Sequence, residues 1–488
     1  MSHAKDQSTH HVTAREDRIP LFQKFIYSMG SLANDSQAAF IGQMIIILNL
    51  GLGVSPLLVG LIGCIPRIFD AVLDPIIGYS SDNARTKYGR RRPFIFFGAI
   101  AAGIIYALMF QLYKGHSQAY YSWYILIFQV LFFAAFTCYS IPWIALGYEM
   151  TPDYHERTRL QSFSKIFAQI PWLIAPWCWP IMYSFKNPAT GDADPVLGAR
   201  TVSIIVGAVI IGAGILPAIF CKEHFADLPK PEKKKPIDAT IKLFKGIGIT
   251  FKNKLFVKIC AITFLIFNGF MLSSTFIAYV IFFYVFQGAG SMDAAYGAGG
   301  KLLGFYGTFS AICTIGVVAL IPWVSRKLGK KNTFFVTIPI SIVGYALKWI
   351  GYNQGQPYLL LGCAPFIVFG LGSLFTLTLS MVADVCDEDE LATGERREGM
   401  FSAVYWWMVK LGLAIASLIG GALLTWTGFK QEVGLGQPVD TLFWMRLFDV
   451  CIPIVTSIIA IFIIATIDDS EKKAHDVRKQ LEKKRGKA

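Results

Sequence analysis

RIFDAVLDPIIGYSSDNARTKYGRRRPFI, residues Arg67 to Ile95, is an apolar run carrying deep charges that stops at a block of basic residues around a glycine. Arg67, Asp70 and Asp74 are spaced i, i+3 and i+7, which puts all three on one face of a helix. The turn KYGRRRP, Lys87 to Pro93, then closes the run. A charge at the centre of a lone membrane helix costs roughly 2.5 to 3.5 kcal/mol on insertion scales, so such residues mark a polar interior.

Outward from this stretch the chain repeats the same design. Apolar segments fall at 22–50, 56–81, 93–113, 120–148, 161–184 and 200–221, then at 254–287, 301–324, 332–353, 357–385, 399–427 and 441–467. Each is long enough to cross a hydrocarbon core of roughly 30 Å as a helix of about 20 residues. With 54% hydrophobic and 16% charged residues and a mean hydropathy of +0.50, the chain is too apolar for a soluble globule. Backbone groups in lipid must bond internally, and long unbroken apolar runs select helices over a barrel. The reading is an all-α integral membrane protein of twelve transmembrane helices in two six-helix bundles. A lipid bilayer is thus its first partner.

The formal charge of +13 sits in short blocks between apolar runs, a topology signal that excludes a nucleic-acid partner. Arg85 to Arg92 follow segment two, Arg157 and Arg159 segment four, and Arg326, Lys327, Lys330 and Lys331 segment eight, which puts both termini in the cytoplasm. The expected organisation is a cytoplasmic tail at 1–21, a six-helix bundle at 22–221, a linker at 222–253, a second bundle at 254–467 and a cytoplasmic tail at 468–488. Pro229, Pro231, Pro236 and many lysines mark the linker. SRKLGKKN, Ser325 to Asn332, holds in the second half the place that KYGRRRP holds in the first. The nine cysteines are scattered, without metal-ligand or disulfide spacing, and read as packing residues; no cofactor is expected.

Asp70 and Asp74, four residues apart, repel each other unless a cation, a proton or a basic side chain sits between them. Lys410, halfway along segment eleven, needs a carboxylate partner, and these two are the obvious choice. Asn34 and Asp35 lie near the middle of segment one; Lys165, inside segment five, either serves a site or snorkels to the interface. Lys348 reads as snorkelling at the outer part of segment nine, and Trp177 and Trp179 as an interfacial belt. Aromatics including Trp143, Trp172, Tyr405 and Trp406 beside polar groups suit a carbohydrate, whose C–H faces stack on rings while its hydroxyls want polar partners. Every histidine lies in a terminus or connection, so a coupled proton would ride on a carboxylate.

These residues resemble the glycoside, pentoside and hexuronide cation symporters of the major facilitator superfamily. The resemblance spans essentially the whole chain and is carried by the D-x-x-x-D-P motif with its basic loop, IPW at Ile141 to Trp143, ERTRLQSFSKIFA at Glu156 to Ala168, MVADVCDEDE at Met381 to Glu390 and MVK at Met408 to Lys410. It implies a cation site of Asp70, Asp74, Thr137 and Lys410, taking Na⁺ or H⁺. It implies that Asp35, Asn34 and Lys165 contact sugar hydroxyls, and Arg67, Ser140, Trp143, Tyr405 and Trp406 complete the expected substrate site. Ser140, Phe136 and Ile144 replace an acid, a tyrosine and a tryptophan found in a melibiose-carrying member; the lost acid removes one anionic ligand, which bears on Na⁺ coupling and on a melibiose-like substrate and admits a uronide.

The expectation is therefore alternating-access symport of a sugar, glycoside or uronide by a monomer in the plasma (inner) membrane. Arg90 and Arg91 with Asp384 and Asp387 would latch the cytoplasmic side. Rival readings are a lysolipid transporter on the same fold and a membrane solute sensor, though the linker and carboxy tail are too short for signalling domains. No HExxH, nucleophile elbow or phosphate-cradling loop supports an enzyme.

Overall fold

The computed structural model describes residues 18–84, 86–151, 153–221, 241, 245–394, 397–467, 477 and 480. Most of the expected linker, both tails beyond these limits and Arg85 of the basic turn lie outside the described residues.

The chain runs α1 Leu21–Met44, α2 Pro56–Asn83, α3 Arg92–Met109, α4 Gln118–Glu149, α5 Tyr154–Ile174, α6 Pro195–Phe220, α7 Lys254–Val280, α8 Met292–Leu328, α9 Lys330–Gly351, α10 Ala364–Thr393, α11 Glu398–Trp426 and α12 Val439–Ala465. Beyond Ile174, α5 continues through a tight turn at Ala175–Trp177 into Cys178–Tyr183. Several helix starts are legible in the sequence. Pro56 and Pro195 occupy first turns where a missing N–H costs nothing. Ser117, Asp153, Asn253 and Ser291 accept backbone N–H groups that have no partner inside their helices. Gly329, at φ 80°, makes the sharp turn from α8 to α9 that a side chain would resist.

Ten of these helices, among the described residues, are long and apolar enough to cross a membrane. The other two are α1 and α5. Asn34, Asp35 and Gln37 dilute the first, and charges from Glu156 to Lys165 dilute the second. Packing compensates: α1 lies between α5 and α6, so its polar residues face protein.

In the first half α3 packs on α4 and α6, and α2 on α4; in the second α7 packs on α12 and α11, α9 on α10 and α12, and α8 on α10. Among the described residues, α2 on α11 and α8 on α5 are the main seams between the halves. Glycines bring each seam close at the end away from the basic turns. A Cβ on Gly60 of α2 would lie 2.6 Å from the Ser417 carbonyl oxygen of α11. On α8, a Cβ on Gly300 or Gly304 would lie 2.7 or 2.8 Å from the rings of Trp179 and Trp177. The Trp177 indole donates to Thr308 Oγ1 at 2.9 Å, which donates to the Leu173 carbonyl. The Tyr279 hydroxyl donates to Asn49 Oδ1 at 3.0 Å, and the Tyr183 hydroxyl to Asp293. This end of the molecule is closed.

Two expectations are corrected here. Trp177 and Trp179 are not a lipid-facing belt, because the glycine face of α8 receives their rings between the halves. Lys348 does not snorkel: it is 1% exposed, and its ammonium donates to Asp449 Oδ1 at 2.7 Å and to Ser273 Oγ at 2.9 Å. The Tyr352 hydroxyl satisfies the other oxygen of Asp449 at 2.5 Å. An acid in the apolar run of α12 supplied a partner, so the lysine had no need to reach water.

Candidate functional site

Ile65, Ile68, Phe69 and Val72 make one exposed apolar face of α2, and the helical period puts Asp70 and Asp74 on the opposite side. That side meets α11. Lys410 Nζ donates to Asp70 Oδ2 at 2.8 Å and to Asp74, bridging acids that would otherwise repel. Thr137 Oγ1 of α4 donates to the other oxygen of Asp70 at 2.7 Å. The group is embedded without being sealed: the side chains of Lys410, Asp74 and Asp70 are 31%, 26% and 10% exposed. The three ionic side chains sum to one negative charge, and the lysine's ammonium stands where a monovalent cation would sit against the same carboxylate oxygens.

One turn from Thr137 on the same face of α4, about 4.5 Å along the axis, Ser140 Oγ donates to Asn34 Oδ1 at 2.8 Å. Asn34 donates in turn to Asp35 Oδ2 at 3.4 Å, and the Trp172 indole donates to Asp35 Oδ1 at 3.3 Å. Lys165, one helical repeat before Trp172, acts on Asp35 electrostatically but closes no ion pair among the described residues. Arg67 likewise acts on Asp70 and makes no hydrogen bond or ion pair among the described residues. Two cations, an acid, an amide, a hydroxyl and an exposed indole thus lie at the middle depth of α1, α2, α4 and α5. Such a set can hold a polyhydroxylated solute by charge-assisted hydrogen bonds and ring stacking.

Other expected residues lie elsewhere. Trp143 is 5% exposed, stacked on Tyr27 with the ring centroids 5.1 Å apart, its indole donating to the Tyr27 carbonyl; Gly30 makes room for it. Tyr405 is 1% exposed and shares a 2.8 Å hydrogen bond with Thr378. Both are spent on packing, which corrects their assignment to substrate. Trp406, stacked on Phe375 and 45% exposed, stays available one turn from Lys410. At the basic end Arg90 donates to Glu149, and Arg91 pairs with Asp82 and Glu149, all in the first half. Asp384 pairs with Lys330 at 2.5 Å in the second, with Asp387 three residues on in α10. Sequence reasoning missed Trp172 as the partner of Asp35, although its seven-residue spacing from Lys165 was the signal. It also missed Asp449, an ionisable residue in an apolar run.

Comparison with known proteins now bears on this geometry. The family described as MFS/sugar transport protein matches residues 26–468. An uncharacterized symporter of Synechocystis sp. is 26% identical over 511 residues, covering 88% of this chain and 90% of its own. An isoprimeverose transporter of Lactiplantibacillus pentosus is 22% identical over 422 residues, covering 85% and 82%. Sodium-dependent lysophosphatidylcholine symporter 1 of Gallus gallus is 22% identical over 500 residues, covering 96% and 90%. Among solved structures, a D-xylose-proton symporter shares the fold at a TM-score of 0.58 and 13% identity, covering 92% of this chain and 98% of that one.

Proposed function

The chain belongs to the MFS/sugar transport protein family, a multi-pass membrane transporter with the major facilitator fold, and on that premise we propose that it carries a sugar, glycoside or uronide together with Na⁺ or H⁺. The observation that supports this most is the bridge from Lys410 on α11 to Asp70 and Asp74 on α2. A single negative charge shared across the halves is a site for one monovalent cation. Lys410 holds the acids together when the cation is away, and cation entry frees the ammonium. Thr137 and Ser140, one turn apart, link that event to Asn34 and Asp35, so each ligand raises the affinity for the other by the same factor. The carrier alternates between states opened to either side, with Arg90 and Arg91 of the first half and Asp384 and Asp387 of the second at the cytoplasmic ends of their helices.

The basic end faces the cytoplasm of a plasma (inner) membrane, and the monomer is the working unit in this reading. The test is uptake by purified protein in proteoliposomes, with methyl glycosides of glucose, galactose, xylose and glucuronic acid offered under separate Na⁺ and H⁺ gradients. Accumulation of one solute under one ion gradient supports the reading, and equilibration alone with every pair defeats it. A lysolipid cargo is the second reading, favoured by the 96% coverage of this chain by the lysophosphatidylcholine symporter.

A further inference from the structure

Helix α5 has three faces. Leu160, Ser164 and Ala168 are buried, on the side that packs against α1, and Ile166 and Ile170 form an exposed apolar flank. Between these faces Ser162, Lys165, Gln169 and Trp172 are spaced i, i+3, i+7 and i+10, so they stand in one line along the helix. Ser162, Lys165 and Trp172 are exposed and Gln169 is half-buried. A hydroxyl, an ammonium and an amide left open within a membrane span would be costly against acyl chains, and the apolar flank beside them is the face that lipid can cover. The polar line therefore faces water inside the carrier. The Trp172 indole donates to Asp35 at 3.3 Å, and beyond it Trp177 and Trp179 close the far end, so the line opens toward the basic turns.

Gln169 lies about 6 Å along the axis from Lys165 and about 4.5 Å from Trp172. Its amide makes no hydrogen bond among the described residues, although an ammonium and an indole flank it on the same face. From this we infer that Gln169 is a solute-contacting residue, its Oε1 accepting from one hydroxyl of a sugar ring and its Nε2 donating to the adjacent one, with the ring held between Lys165 and Trp172. The inference rests on the transport reading above and adds to it what the solute must carry, a pair of neighbouring hydroxyls. An ammonium is a point charge that takes any oxygen within reach, whereas an amide sets an acceptor and a donor side by side. Gln169 is thus the member of the line that selects among sugars differing at a single carbon.

The experiment uses the full chain in proteoliposomes and the methyl glycoside that it accumulates in the panel above. Each singly deoxygenated version of that glycoside competes against its uptake, by wild type and by Gln169→Met, which keeps the length of the side chain and loses both polar groups. In wild type, loss of either of two adjacent hydroxyls should weaken competition roughly three- to tenfold, the range of one hydrogen bond. In Gln169→Met those two penalties should fall toward one while penalties at the other positions stay. Penalties that survive unchanged overturn the inference, and so do penalties that shrink at every position alike, which mark a general disturbance of the site. A second measurement is independent of how the methionine variant folds: Gln169→Cys, in a background without native cysteines, should react with an impermeant thiol reagent in detergent, and saturating methyl glycoside should slow the reaction. No labelling, or labelling that the glycoside leaves unchanged, overturns the inference. Failure at Gln169 leaves sugar transport intact; if wild type accumulates no glycoside, the sugar reading falls and this inference with it.

Discussion

Asp70→Asn keeps the shape of the bridge on α2 and removes one charge from it. The wild-type triad of Asp70, Asp74 and Lys410 carries one net negative charge, which a bound cation brings to zero. In the variant the Lys410–Asp74 pair is already neutral, so a cation must enter a site of no charge and leave it positive. A unit charge at about 4 Å contributes about 4 kcal/mol at an effective dielectric of 20. Asp74 is about a quarter exposed, and solvent screening at such a site leaves about half of this, near 2 kcal/mol or roughly thirtyfold in cation affinity. Arg67, one turn away, is present in both proteins, and its repulsion of the cation drops out of the difference. The assay is accumulation in proteoliposomes under Na⁺ and H⁺ gradients, beside solute counterflow, which needs no net cation movement. Accumulation should fall at least tenfold while counterflow persists. Adding Lys410→Met restores the single negative charge on Asp74 and should return part of the accumulation. An Asp70→Asn protein that concentrates solute as well as wild type would refute the charge argument.

Three further outcomes follow from the packing. Asp449→Asn strands the buried Lys348 ammonium and should cost about 3 to 5 kcal/mol, lowering the thermal midpoint in detergent, whereas Lys348→Met with Asp449→Leu should recover most of the loss. Gly304→Leu drives a side chain into the Trp177 ring; overpacking of about 1 to 3 kcal/mol should open the glycine seam, seen as faster labelling of a cysteine placed at Thr308 by an impermeant thiol reagent in a background without native cysteines. Glu156, at the basic end before α5 enters the membrane, is pushed up by burial, but Lys24, the Ile19 amide and Arg159 outweigh this and hold it below its ordinary value. Its contribution is therefore complete above the ordinary carboxylate value of about 4.3 and lost as pH falls through the lowered one, so Glu156→Gln should remove that part of the acid dependence of the thermal midpoint.

Much of the fold was legible because lipid makes the code simple. Length and apolarity announce each span, and charge blocks announce the turns. The bridge was legible for the same reason: two acids at i and i+4 within a span demand a counter-charge, and Lys410 was a lysine in want of an acid. What escaped was the identity of partners wherever more than one was available. Lys348 could have reached water, and only the register of α9 against α12 delivers it to Asp449. Trp143 and Tyr405 carry the same ring chemistry as Trp172 and Trp406; which of them stays exposed is decided by small residues opposite, such as Gly30, that a single helix does not reveal.

The two spans that hydropathy judges weakest, α1 and α5, hold Asn34, Asp35, Lys165 and Trp172. This is one fact seen twice. A solute that must shed water in the middle of a bilayer needs polar groups there, and each such group lowers the apolarity of the helix that bears it. Those helices must then draw stability from neighbours rather than from lipid, and α1 does so between α5 and α6. The glycine-lined seam offers α5 a second support at its far end, through Trp177 and Trp179 on α8. Loosening that seam weakens the span that carries Lys165, so closure of the far end and competence of the polar group are one equilibrium. Labelling at Thr308 and solute affinity should accordingly change together in every variant along the α8 glycine face, and independent changes would break the link.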